Sequence, residues 1–236
     1  MRRLTEAWFE FAGVRSDEIG VRLLAMPKRP QAAEKGERLM IPGRSGYLWM
    51  SEAGAREAVE LRIECVSDDA YNADAVAEWL SGEGLLVFSD EPNRAYQARV
   101  VDEFARESRF LHFDAQRFTV PFLCQPHRYL YPAAASIKLT AKGSVSNPGT
   151  AESLPRIKIA GSGNLTVNIG AYQVDVSGGT VIIDSEKMDC FASDGITLAN
   201  SRVSMDEFPR LAPGANNISW SGNVSSVTID GRWRYL

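Results

Sequence analysis

Arg156-Ile157-Lys158-Ile159-Ala160, Leu165-Thr166-Val167-Asn168-Ile169 and Tyr172-Gln173-Val174-Asp175-Val176 follow one another across Gly161-Ser162-Gly163-Asn164 and Gly170-Ala171. Short apolar runs broken by glycine and asparagine read as strands joined by tight connections. The same signature recurs at Ser136–Thr140, Thr180–Asp184, Asn217–Trp220 and Val224–Ile229. Seven or more strands in about 100 residues is the spacing of a β-sandwich. The second half of the chain is therefore expected to be wholly β.

Upstream the composition changes. Residues 1–132 carry 17 basic and 21 acidic side chains and most of the aromatics, whereas 133–236 carry 9 and 9 among many Gly, Ser, Asn and Thr. The change falls at Tyr131-Pro132-Ala133-Ala134-Ala135, so a domain boundary is expected near 131–136, with domains 1–132 and 133–236. At 236 residues each part is long enough to bury a core.

The first half reads as strands around one helix. Leu39-Met40-Ile41, the turn cluster Pro42-Gly43-Arg44-Ser45-Gly46 and Tyr47-Leu48-Trp49 form a hairpin signature. Ala55 to Val66 alternates, with Val59, Leu61, Ile63 and Cys65 on one face. Asn72 is placed to cap a helix over 73–81 whose Val76, Trp79 and Leu80 share a face and which Ser81-Gly82 ends. Leu85–Phe88 and Tyr96–Val101 flank a turn-rich loop, Ser89 to Arg94, that suits another hairpin. Arg117 to Gln125 sets Phe118, Val120, Phe122 and Cys124 on one face, and Pro121 within it predicts an edge position or a bulge.

Chemistry-bearing residues are few. The cysteines Cys65, Cys124 and Cys190 are odd in number and form no C-x-x-C pair, so neither a disulfide framework nor a zinc site is expected. His112 and His127 do not match a zinc-binding helix pair. No Walker loop, Gly-x-Ser-x-Gly elbow or Gly-x-Gly-x-x-Gly is present. Ser67-Asp68-Asp69 is explained by helix capping. Asp184-Ser185-Glu186 with Asp189 supplies too few oxygens at fixed spacing for a calcium loop. Arg94, Arg99, Arg106, Arg109, Arg117 and Arg128 sit among aromatics but alternate with Asp102, Glu103, Glu107 and Asp114. That pattern points to ion pairs or a subunit interface rather than a nucleic-acid groove, as does the net charge of −4. No apolar run is long enough to span a bilayer, and Leu4–Glu10 lacks a signal peptide's apolar core. Asn164, Asn217 and Asn223 in Asn-x-Ser/Thr triplets are then chance matches. The expectation is a soluble protein with reduced thiols, no catalytic residues, no cofactor and no metal.

The ordered landmarks resemble the distal tail proteins of long non-contractile-tailed (siphophage-type) bacteriophages and prophages along nearly the whole chain. In the first half the resemblance rests on Phe11 to Val21, Pro27-Lys28-Arg29-Pro30, Ile41-Pro42-Gly43-Arg44-Ser45-Gly46, Trp79-Leu80-Ser81-Gly82, Leu86 to Pro92, Tyr96 to Val100 and Phe118 to Pro126. In the second it rests on Ser146 to Ala151, Pro155 to Ile159, Gly161 to Asn164, Ile183 to Glu186, Phe208-Pro209-Arg210-Leu211, Pro213 to Trp220 and Trp233-Arg234-Tyr235-Leu236.

The resemblance implies a mainly β fold with one short helix: an N-terminal split-barrel-like β domain and a C-terminal galectin-like β-sandwich. It implies a homo-hexameric ring, single or paired back to back, at the tail tip of a virion whose parts are made in the bacterial cytoplasm. Its implied partners are the tail tube protein, the tape measure protein and the tail-tip hub or tail-associated protein. The genome passes through such a ring without specific nucleic-acid binding, and no membrane anchor is implied. A closed ring needs a heterologous interface. Loops 42–56 and 89–95 and unpaired sheet edges are candidates for it, with Arg44, Tyr47 and Trp49 as the residues expected at the interface. Trp49 is equally well placed for burial inside one subunit. The rival reading is a carbohydrate-binding tail module contacting the host surface, using Tyr172, Phe191, Phe208, Trp220, Trp233 or Tyr235. A hydrolase is disfavoured by the missing nucleophile and base.

Overall fold

The computed structural model describes residues 7–67, 73–101, 106–108 and 116–236. The readings of Asp68, Asp69, Asn72, Asp102, Glu103, Phe104, Arg109, Phe110, His112, Phe113 and Asp114 fall outside the described residues. The chain forms two compact units, Met1–Arg128 with Leu236, and Tyr129–Tyr235.

In the first unit, β1 (Phe9–Phe11), β2 (Val14–Arg15), β3 (Val21–Leu23), β4 (Glu34–Leu39), β5 (Leu48–Arg56) and β6 (Val59–Ser67) precede helix α1 (Ala73–Trp79). After it come β7 (Glu83–Phe88), β8 (Glu91–Val100), β9 (Arg106–Ser108) and β10 (Gln116–Leu130). A curled sheet runs in the order β2-β1-β7-β8-β10-β6-β3, with β9 also on β10. The period-two pattern of β6 is realised, with Val59, Leu61, Ile63, Cys65 and Ser67 buried and Glu60, Arg62 and Glu64 exposed. Phe9, Phe11, Leu61, Ile63, Phe88 and Phe122 fill the core, each contributing about 1.5–3 kcal/mol by leaving water. The α1 region closes this core: Val76 and Leu80 are buried in it. The Trp79 ring stacks 5.2 Å from that of Phe9, and its Nε1–H donates to the Phe11 carbonyl at 2.9 Å.

Two expectations here need correction. Pro121 is not on an edge strand: β10 lies between β8 and β6, and Pro121 sits opposite Arg62 in unbroken register with β6. Along a strand the backbone bonds alternate between the two neighbours, so a proline removes at most one ladder bond. The loop expected from Ser89 to Arg94 is shorter, because β8 starts at Glu91 and a register shift between Val87 and Phe88 absorbs the extra residues.

The second unit holds β11 (Ile137–Leu139), β12 (Gly143–Asn147), β13 (Arg156–Ile169), β14 (Tyr172–Val176), β15 (Val181–Asp184), β16 (Asp189–Phe191), β17 (Val203–Ser204), β18 (Gly214–Asp230) and β19 (Arg234–Tyr235). Four segments read as separate strands are two long ones, β13 and β18, paired antiparallel with shifts near Gly161 and between Ser162 and Thr166. On one side of the shifts they carry β11, β15 and β16; on the other they carry β12, β14 and β17. Ile157, Ile183 and Ile229 of the first half and Val167, Val174 and Trp220 of the second share one core. One hydrogen-bonded sheet therefore bends back on itself as the two layers of a sandwich. Gly222 permits the bend: its φ is +87°, and a Cβ there would sit 2.6 Å from the Asn164 carbonyl oxygen. Trp233 is buried just before β19.

Candidate assembly surface

The sequence places Arg44, Tyr47 and Trp49 in or beside one turn, and the structure puts all three on the exposed β4-β5 hairpin. Among the described residues the two strands pair only with each other, Leu39 opposite Leu48, Arg38 opposite Trp49 and Glu37 opposite Met50. Both faces meet solvent. Of thirteen exposed large apolar side chains among the described residues, six are Leu39, Met40, Ile41, Tyr47, Trp49 and Met50. Trp49 is 45 % exposed, Tyr47 53 % and Met40 71 %, which decides against burial of Trp49 within its own unit. An isolated two-stranded ribbon is marginal in water, and a concentrated apolar patch marks a contact surface.

The ribbon is internally ordered all the same. The Trp49 indole crosses Gly36, where a Cβ would sit 2.9 Å from the ring and 2.6 Å from the Met50 carbonyl oxygen, so only glycine fits beneath it. The Arg38 guanidinium covers the Tyr47 ring at 5.2 Å, a contact worth about 0.5–1 kcal/mol at an exposed site. Lys35 pairs with Glu52 at 2.6 Å, and the Arg44 backbone N–H donates to the Ile41 carbonyl at 3.1 Å, closing the turn. Sequence reasoning missed Arg38, Leu39, Met40 and Ile41 as surface residues, whereas Met50 falls within the candidate loop 42–56. The signal was the apolar run entering a Pro-Gly turn, which it used for secondary structure alone. Loop 89–95 is largely strand β8.

A second feature of the first unit is the solvent face of its sheet. Leu85 and Leu123 line a groove of about 550 Å³ there with Glu83, Gln97, Arg99 and Gln125. Three arginines on this face pair with carboxylates: Arg62 with Glu60 at 2.7 Å, Arg117 with Glu64 at 2.6 Å and Arg99 with Glu83 at 3.8 Å. Arg128 Nη1 donates to both carboxylate oxygens of Glu91, each at 2.8 Å. The interleaved charges of 94–128 thus include ion pairs, whose carboxylates offset the positive field that a phosphate backbone would need.

No cluster of His, Cys, Asp or Glu among the described residues could hold a metal. Asp184 and Glu186 are both engaged by Arg232, at 2.7 and 2.9 Å, and Asp189 by Asn200 at 3.1 Å. The three thiols are buried and unpaired, and burial pushes Cys65 and Cys124 up to about 12 and Cys190 to about 11, so they stay protonated and unreactive at neutral pH. No helix among the described residues is long and apolar enough to cross a membrane.

No protein-family model and no curated protein matches the chain. Among solved structures, the Dit protein of phage SPP1, described as a paradigm of the hub adsorption apparatus in phages infecting Gram-positive bacteria, aligns over 98 % of this chain and 99 % of its own at 15 % identity, with a TM-score of 0.72. The baseplate of phage P2 in its activated conformation with calcium contains a chain that aligns over 94 % of this one and 97 % of its own, at 8 % identity and a TM-score of 0.54. Both units, in their order along the chain, are covered by these alignments, so this protein has the fold of the phage SPP1 Dit protein.

Proposed function

We propose that the protein is the structural hub of a long non-contractile phage or prophage tail, without catalytic activity. Six copies close into a ring that joins the tail tube to the tail-tip or baseplate proteins around a channel. The observation that carries this reading is the end-to-end agreement of the fold with a phage adsorption-apparatus hub, 98 % of one chain on 99 % of the other. The β4-β5 hairpin supports it: its apolar faces have no partner among the described residues, and docking on the next subunit is a heterologous contact of the kind that closes a ring. The matched arginines of the sheet face suit a channel that lets a genome pass without holding it. In this reading the second unit is a galectin-like sandwich carried on the outside of the ring, and the partners are the tube, tape measure and tail-tip proteins.

The carbohydrate-binding alternative requires exposed aromatic platforms. In the second unit Trp220, Trp233 and Tyr235 are buried, and Tyr172, Phe191 and Phe208 are at most partly exposed, which favours an architectural role. Mass photometry of the purified chain across a concentration series, with electron microscopy of assembled tails, tests the proposal. Six copies or a back-to-back pair of such rings is expected. A chain that stays monomeric alone and forms no six-fold ring in tails would overturn it.

A further inference from the structure

In the second unit every exposed large apolar side chain belongs to one short stretch: Met188, Ile196 at 82 % and Leu198 at 63 % exposure. Ile196 stands on a turn that is hydrogen-bonded throughout. The Ala192 N–H donates to the Thr197 carbonyl at 2.8 Å and the Gly195 N–H to the Ala192 carbonyl at 3.0 Å. The Asp194 carboxylate accepts from the Ile196 and Thr197 N–H groups at 3.0 Å and from the Thr197 hydroxyl at 2.6 Å. Leu198 pairs with Phe191 as a further rung of the sheet edge, and Ala199 N–H donates to the Cys190 carbonyl at 2.7 Å. A side chain held out on so constrained a turn loses little conformational freedom when a partner covers it.

Beside the turn sits an unusual arginine. Of the five arginines in the second unit, Arg202, Arg210, Arg232 and Arg234 each reach a carbonyl or carboxylate oxygen. Arg156 reaches none, and its Nε is shut from solvent without an acceptor. Its guanidinium packs under Gly195, where a Cβ would lie 3.0 Å from Nη2, and the same turn covers Ile182. Ile157 and Ile159 point into the core, so Arg156 and Lys158 share the opposite, outer face of β13. Neither has an ion-pair partner among the described residues. The carboxylates nearby are occupied: Asp184 by Arg232, Asp189 by Asn200 and Asp194 by its own turn. Asp230 is opposite Arg156 in the ladder but makes no ion pair with it.

We infer that Ile196, Leu198 and the neighbouring Arg156 form a docking site for a second protein, which presents an aliphatic pocket or side chain to the turn and a carboxylate to the guanidinium. A carboxylate fits because the Arg156 guanidinium, which has no acceptor within its own unit, gains a charge-assisted bond. The apolar turn supplies burial, and Lys158 biases the approach toward acidic segments. The site lies in the second unit and uses none of the hairpin's residues.

The test uses the full chain and two fluorescein-labelled peptides of alternating Glu and Leu or alternating Lys and Leu, followed by anisotropy. Saturable binding of the Glu-Leu peptide is expected, with no binding of the Lys-Leu peptide. Arg156→Gln and Ile196→Ser should each weaken binding about tenfold, the loss of one charge-assisted bond or of one buried aliphatic side chain. Both positions are on the outside of the sheet, and thermal melts matching the parent confirm that the variants fold. Absence of saturable binding, equal binding of both peptides, or variants that bind like the parent would each overturn the site. Soluble wall polysaccharide that binds the parent and is lost in the same variants would replace the protein partner with a glycan and overturn it equally.

Discussion

At the residue scale the second unit is pinned by Arg232, a non-glycine residue at φ +43°. Its guanidinium grips Asp184 through two bonds of 2.7 and 3.0 Å and reaches Glu186 at 2.9 Å, while Tyr129 donates to Glu186 at 3.3 Å. Burial alone would push the Asp184 carboxyl up. The hydrogen bonds and charge of Arg232, with the Lys187 and Glu186 N–H groups, overcome this and hold it below the ordinary carboxylate range. A carboxyl depressed on folding adds stability that is present above its unfolded pKa, about 3.9, and is lost as pH falls through the folded value. Urea denaturation should therefore show stability falling below about pH 4. Asp184→Asn should remove that component and cost about 3 kcal/mol at neutral pH, because it leaves Arg232 half-buried without its main partner. The ion pair joins positions 184 and 232, and no local pattern in the sequence announces such a pairing.

At the element scale the hairpin and the two long strands taught different lessons. The hairpin was legible, since Pro42-Gly43 and Gly46 demand a turn between two apolar runs. Its exposure was not, because an apolar strand pair looks the same whether its own chain or another subunit covers it. Replacing both Trp49 and Met50 by Ser should leave the melting of the isolated chain nearly unchanged, within about 0.5 kcal/mol, because neither packs in the core of the first unit. The same variant should lose the six-copy species in mass photometry. A variant that still closes rings places the subunit contact elsewhere. The long strands were read as four because Gly161-Ser162-Gly163-Asn164 and Ser221-Gly222-Asn223 look like turns. In β13 and β18 they are instead the bulges and bend at which one strand passes between two layers.

At the scale of the whole molecule, two separate apolar clusters fill the two units. The second contains Ile157, Val167, Ile183, Trp220, Ile229 and Trp233 within 129–235, so that fragment expressed alone should unfold in one cooperative calorimetric transition. A broad, non-cooperative melt would show that its core depends on the rest of the chain. The uneven split of charge along the sequence follows this partition. The first unit has a broad solvent-facing sheet surface studded with matched ions, and the second has much of its sheet surface buried between two layers.

By itself the sequence determined the alternation of strands, the single helix, the compositional break near 131–136 and the absence of recognisable catalytic motifs. These follow from the periods of side-chain direction and from local turn chemistry, which act over a few residues. Only the tertiary structure decided which apolar side chains remain in water, which arginines have acceptors and which apparent turns are bends in a continuous strand. Those properties depend on neighbours far away in sequence, such as Arg232 beside Asp184 or the turn at Gly195 over Arg156. Burial and pairing are relations between surfaces that exist only once the chain has folded.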